Sequence, residues 1–181
     1  MRPNRRIFLS ASANGPMNRL KIKATTRSVA ETKALGETMG RFLAEGLVIA
    51  LTGDLGSGKT AFVQGLARGL QVPAEYYITS PTFTLINEYP GRLTLQHVDL
   101  YRIGHSGEVD DIGLHDIMHG DGVTAIEWAD RIQSELPGEN LQIHFEVTDA
   151  QSRILTLIAA GSAAVTMLKR IAKTVEEKKW V

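Results

Sequence analysis

The stretch "ALTGDLGSGKTAF", residues 50–62, constrains this chain more than any other. It holds G-x-x-x-x-G-K-T, from Gly53 through Gly58, Lys59 and Thr60, and it overlaps the end of "LVIALT", residues 47–52, a continuous apolar run of strand length. Such a run is the pattern of a strand buried on both faces of a parallel sheet. Beyond the loop, "GKTAFVQGLARGL" carries Phe62, Leu66 and Leu70 at helical spacing, and Pro73 marks the end of the helix. A strand, a glycine loop and a helix form the context in which this motif cradles phosphates. The glycines let backbone N–H groups turn inward, and the positive end of the helix dipole reinforces them. The motif places Gly53, Asp54, Leu55, Gly56, Ser57 and Gly58 around the phosphates, Lys59 at the β- and γ-phosphates, and the Thr60 hydroxyl on Mg²⁺.

The rest of the chain reads around that unit. "RLKIKA", residues 19–24, alternates apolar and basic side chains, as an edge strand does. Ser28 and Glu31 have capping-box spacing, and Leu35, Met39, Phe42 and Leu43 share one helical face, which predicts a helix from about Ser28 to Ala44 that Gly46 ends. In "SPTFTLINEYPGRLTLQHVDLYRI", residues 80–103, Tyr89-Pro90-Gly91-Arg92 is a turn signal between two strand-like segments. "VTAIEW", residues 123–128, is a second buried-strand pattern. "LQIHFEVT" and "SRILTLIAA" flank an Asp149-Ala150-Gln151 turn as a further hairpin, and a polar helix from about Ser162 closes the chain. Together these predict a three-layer α/β domain of the P-loop NTPase type, with a mixed, largely parallel central sheet.

At 181 residues and 43% hydrophobic, the chain suffices for one domain that buries roughly 70% of its unfolded surface. Its apolar runs, such as "ILTLIAA", fall far short of the ~20 residues that span a bilayer, so a soluble protein without membrane contact is expected. The absence of cysteine excludes disulfides and thiolate metal sites, and fits the reducing cytoplasm. Zero net charge conceals an asymmetry. Residues 1–27 carry seven basic side chains and no acid, whereas residues 28–168 carry eight basic and 18 acidic ones. "MRPNRRIFLSASANGP", residues 1–16, has the composition of an organellar transit peptide, but Met17 stands directly before the first strand pattern. A disordered extension over 1–16, an ATPase domain over 17–168 and a basic helical tail over 169–181 are therefore expected.

A phosphate loop needs a carboxylate at a neighbouring strand end to hold Mg²⁺ or orient water. Asp99 ends "LTLQHVD" and Glu127 ends "VTAIE", so both are candidates for the carboxyl edge of the sheet, where ligands collect. No N-K-x-D type guanine signature follows the loop, which points to adenine and hence ATP. Trp128 either stacks near the base or packs in the core. His115 and His119 have i, i+4 spacing but lack the H-E-x-x-H glutamate, so the histidines are expected to be exposed or capping rather than metal ligands.

"GDLGSGKT", "SPTFTLINEY", "HVDLYRI" and "IEW", in this order within about 80 residues, resemble the TsaE family of bacteria, also called YjeE. The resemblance spans residues from about 20 to 160. It implies a small ATPase, weak by itself, needed for threonylcarbamoylation of adenosine 37 in tRNAs that read codons beginning with A. The implied partners are the TsaD and TsaB subunits; TsaD carries out the transfer, tRNA is met through the complex, and ATP hydrolysis supports repeated turnover. Carried over by residue, the resemblance makes Gly53 to Thr60 the phosphate loop and Thr60 and Glu127 the Mg²⁺ ligands. Ser80, Pro81, Thr82 and Phe83 become a nucleotide-responsive switch with Thr82 sensing the γ-phosphate, and Asp99 positions the attacking water or a metal-bound water. Trp128 then lies near the nucleotide, and the Ser28–Thr32 segment and Arg153 close over base and sugar. Ser57 replaces the family's commoner Ala, at a position that contributes backbone.

Two rival readings share the loop. A small-molecule kinase needs a lid of clustered arginines, but Arg41, Arg68, Arg92, Arg102, Arg131 and Arg153 are scattered. A non-catalytic module switched by ATP has no need of both Asp99 and Glu127. Direct tRNA binding through the basic ends is opposed by the acidic middle.

Overall fold

Alternate side chains of "LVIAL" enter two different cores. Leu47, Ile49 and Leu51 pack on one side of the sheet, Val48 and Ala50 on the other. The computed structural model describes residues 10–12, 18–104 and 107–177. In chain order the elements are β1 (Ser10–Ser12), β2 (Arg19–Thr26), α1 (Val29–Phe42), β3 (Leu47–Gly53), α2 (Lys59–Gly69), β4 (Ile86–Tyr89) and β5 (Leu95–Asp99). They continue with α3 (Gly107–Asp111), α4 (Leu114–Met118), β6 (Val123–Glu127), a 3-10 turn (Ala129–Ile132), β7 (Asn140–Val147), β8 (Arg153–Ala160) and α5 (Ser162–Glu177). One core gathers Leu35 and Met39 of α1, Phe62 and Leu66 of α2, and Leu168 and Ile171 of α5. The other gathers Val109, Leu114 and Met118 with Ala129 and Ile132. These cores are the two interfaces of a three-layer sandwich.

The eight strands form one mixed sheet in the order β1-β2-β8-β7-β3-β6-β5-β4. Parallel pairing is confined to the centre, where β3 lies between β7 and β6, and β6 pairs with β5. The flanking pairs, β1/β2, β2/β8, β7/β8 and β4/β5, are antiparallel. Register places Leu51 opposite Glu127 and Asp99 opposite Glu127, so the glycine loop and both acids emerge at the same carboxyl edge.

Several expectations are refined. β2 is not the outermost strand, because Ser10–Ser12 pairs outside it. The expected disordered extension over 1–16 otherwise lies outside the described residues; its described part is that strand. The polar helix expected from about Ser162 is α5, which runs on through the basic segment from 169 to 177 with Ile171 buried in the core; residues 178–181 lie outside the described residues. Helix α1 is capped by Ser28, whose Oγ accepts from the Glu31 N–H at 3.1 Å. Glu31 reaches back to the Arg27 N–H at 2.7 Å. The helix stops at Phe42, two residues before Ala44, where the hairpin arginine Arg92 donates to the Gly40 and Leu43 carbonyls at 2.8 and 2.7 Å. A cation on free end carbonyls suits the negative pole of a helix.

Helices α1 and α2 pack through glycines. A methyl group at Gly36 would strike the Phe62 carbonyl, at Gly40 the Leu66 carbonyl, at Gly65 the Lys33 carbonyl and at Gly69 the Glu37 carbonyl. Two glycines four residues apart on each helix therefore bring the backbones together. Because α2 begins at Lys59, this contact also fixes the direction of the helix that carries the loop.

Candidate functional site

The loop takes backbone angles that only glycine adopts freely. φ is +128° at Gly53, +74° at Gly56 and +108° at Gly58, and Gly58 stands at the N-cap of α2. Lys59 is 4% exposed and donates Nζ–H bonds to the carbonyls of Gly53 at 2.7 Å and Asp54 at 2.9 Å. Burial lowers its pKa below the usual lysine value, against the opposing pull of Glu127, Asp99, Asp130 and Asp54. Its ammonium also lies 4.0 Å from the centroid of the Trp128 ring. Trp128 holds this place because φ of +61° turns the chain sharply after β6, and its ring packs against Tyr101 at 5.1 Å.

Glu127 joins the loop to the carboxyl edge of the sheet. Its Oε1 accepts from Thr60 Oγ1 at 2.8 Å and lies 2.9 Å from His97 Nε2. A hydroxyl and a carboxylate beside backbone N–H donors suit Mg²⁺, a hard ion held by one or two protein oxygens plus substrate phosphates. Asp99 is 2% exposed and is occupied by the switch segment. Ser80 Oγ donates to its Oδ2, Thr82 Oγ1 donates to the same oxygen at 2.9 Å, and the Tyr101 N–H donates to Oδ1 at 2.8 Å. The carboxylate thus ties "SPT" to the end of β5, with every bond made to a neutral donor.

A cavity of about 430 Å³ opens over the loop. Leu55, Gly56, Ser57, Gly58, Lys59, Thr60, Ser80, Thr82, Asp99, Glu127, Trp128 and Arg153 all line it, so most of the expected residues meet in one place. Gly53 and Asp54 contribute the carbonyls that hold Lys59. Arg153 reaches across from β8 and donates Nε–H to the Ser57 carbonyl at 2.8 Å. Ser28 and Thr32 do not line the cavity. Ser28 is the helix cap, and Thr32 is fully buried with its hydroxyl 2.9 Å from that of Thr26. The wall at that end is Val29, between them in sequence.

Sequence reasoning missed Tyr101 and His97, whereas Val29 falls inside the expected Ser28–Thr32 segment. Val29 and Tyr101 keep 49% and 45% exposure while lining the cavity. His97, expected to be exposed or capping like the other histidines, is fully buried. Its signal was the two-residue step to Asp99, which puts both side chains on one face of β5. His115 faces Glu135 at 3.2 Å, and His119 Nδ1 donates to the His115 carbonyl at 2.8 Å; neither is near the cavity.

Known proteins resemble this chain in sequence and in fold. A family model described as "Threonylcarbamoyl adenosine biosynthesis protein TsaE" matches residues 26–155, the span from the end of β2 into β8 that contains the whole cavity. The tRNA threonylcarbamoyladenosine biosynthesis protein TsaE of Treponema pallidum is 44% identical over 136 residues, covering 75% of this chain and 99% of that protein. Its counterpart in Bacillus subtilis is 41% identical, covering 78% of this chain and 88% of the relative. A crystal structure of Bacillus subtilis YdiB superposes with a TM-score of 0.70 at 35% identity, covering 89% of this chain and 99% of that one. With a family model matching residues 26–155 and relatives 41–44% identical that are covered over 88–99% of their own length, the chain belongs to the TsaE family.

Proposed function

We propose that this protein is a Mg²⁺-dependent ATP hydrolase, weak by itself, that supports threonylcarbamoylation of adenosine 37 in tRNA. It does so in the cytoplasm, as a partner of TsaD- and TsaB-type subunits through which tRNA is met. The observation that carries the ATPase reading is the 2.8 Å bond from Thr60 Oγ1 to Glu127 Oε1, which joins the phosphate loop to a strand-end acid. The names of the relatives support the role in tRNA modification. No helix among the described residues is long and apolar enough to cross a membrane.

In this reading Lys59 leaves the Gly53 and Asp54 carbonyls for the β- and γ-phosphates and balances the charge that develops as the bridging bond to the γ-phosphorus breaks. Thr60 and Glu127 would hold Mg²⁺, which when bound neutralises charge on the phosphoryl oxygens. Thr82 exchanges Asp99 for a γ-phosphate oxygen, and Asp99, released from that bond, positions the attacking water or a metal-bound water. Phosphotransfer to a metabolite is disfavoured because, among the described residues, Arg153 is the one arginine that lines the cavity and four others are committed elsewhere. Arg41 pairs with Glu37, Arg92 caps α1, Arg131 bonds the Ile103 carbonyl and Arg102 lies on the Phe83 ring.

Lys59→Ala and Glu127→Ala are each expected to abolish ATP turnover by the purified chain while the far-UV circular dichroism stays native. Native-like turnover in either variant would remove the site assignment.

A further inference from the structure

Among the described residues, His97 is the one histidine with no exposed surface, and the hydrolysis scheme above makes no use of it. Parallel register sets His97 opposite Ala125 and Asp99 opposite Glu127. The small side chain of Ala125 leaves room on that face for the imidazole to reach forward to Glu127, with Nε2 2.9 Å from Oε1. A carboxylate only accepts, so the hydrogen between them sits on Nε2. His97 Nδ1 is buried without a partner, as suits a bare ring nitrogen, since an N–H there would be a buried donor with no acceptor. Oε1 of Glu127 thus takes two bonds, one from the loop hydroxyl of Thr60 and one from the imidazole behind it. Oε2 accepts from no described group, and Glu127 borders the cavity.

We infer that His97 is a positioning residue: it clamps Glu127 through Oε1 so that Oε2 is the oxygen offered to the reacting end of the cavity. The inference rests on the hydrolase reading and deepens it. Without the clamp Glu127 keeps one tether, Thr60, whose hydroxyl is also wanted by the cation. The rotation left to the carboxylate then disperses the reactive geometry and barely touches nucleotide binding, so the loss belongs in kcat rather than KM. Groups behind a ligating side chain are typically worth about 10- to 100-fold in activity or metal affinity.

The test compares the full native chain with His97→Leu, which fills the space without a donor, and His97→Gln, whose amide N–H₂ stands near the position of Nε2. Three quantities are read: ATP turnover, Mn²⁺ affinity in the presence of ADP by electron paramagnetic resonance, and thermal melting. His97→Leu is expected to lower kcat by about 10-fold or more with KM changed less than about 3-fold, and to weaken Mn²⁺ by about 10-fold. His97→Gln should recover most of both. In a Glu127→Ala background, His97→Leu should cost no further Mn²⁺ affinity, because the group it positions is gone. Full turnover in His97→Leu, equal losses in the Gln and Leu variants at native melting temperature, or an additional Mn²⁺ loss in the Glu127→Ala background would each overturn the clamp. Should His97→Leu fail to fold, His97→Asn against His97→Gln replaces it, since the shorter amide cannot reach Oε1. A native chain that hydrolyses no ATP would remove the hydrolase reading alone, and the Mn²⁺ comparison would still decide the role of His97.

Discussion

At the scale of single residues, the site divides into groups whose place is set by neighbours in sequence and groups placed by pairing across the sheet. Gly53, Gly56, Gly58, Lys59 and Thr60 were legible from the chain alone, because a phosphate loop is built from consecutive backbone. Ser57 illustrates the limit of that reading. Its carbonyl takes the Arg153 bond as a backbone-only role requires, but its hydroxyl is buried without a partner. Ser57→Ala should therefore leave stability unchanged or raise it by up to about 1 kcal/mol, read as a higher urea midpoint at constant slope. A loss of about 1 kcal/mol would mean that the hydroxyl has a partner. His97 was not legible as a site residue, because its contact with Glu127 depends on which strand lies beside β5 and in which register. Asp99 was read as a water-positioning acid, and its bonds to Ser80, Thr82 and the Tyr101 N–H add a latch that spacing does not reveal.

At the scale of elements, the long periodic segments and the marked turns were readable. β3, α2 and the hairpins β4/β5 and β7/β8 follow from apolar runs and from turns such as Asp149, whose carboxylate accepts the Gln151 and Ser152 N–H groups at 2.9 and 2.8 Å. Those bonds hold its pKa below the ordinary carboxylate value. Helices α3 and α4 were not readable, since five residues cannot display a helical period. Nor was the glycine contact between α1 and α2, because close approach is a property of two helices rather than of either sequence. It carries a firm prediction. Gly65→Ala gains helix propensity but drives a methyl into the Lys33 carbonyl, so a net destabilisation of about 3 kcal/mol is expected. For a chain of this size that is a fall in melting temperature of roughly 6–12 °C. Since α2 opens at Lys59, nucleotide affinity should weaken in the same variant. An unchanged melting temperature would show that the helices separate at little cost.

At the scale of the molecule, the parallel centre of the sheet brings the loop, Glu127 and Asp99 to one edge, and the antiparallel flank of β7 and β8 delivers Arg153 to the same cavity from the other side. β1 pairs with β2 at the far end of the sheet from the loop and both acids, which is why it could differ from expectation without altering the site. In the proposed function, an ATP-hydrolysing edge centred on Glu127 serves a role in tRNA modification. One measurement tests both, the threonylcarbamoyladenosine content of bulk tRNA, by mass spectrometry of nuclease digests, from a strain depleted of this protein and resupplied with either the native chain or Glu127→Ala at matched levels. Depletion is expected to lower the modification, the native chain to restore it and Glu127→Ala to leave it low. Normal modification after depletion, or full restoration by Glu127→Ala, would contradict the proposed function.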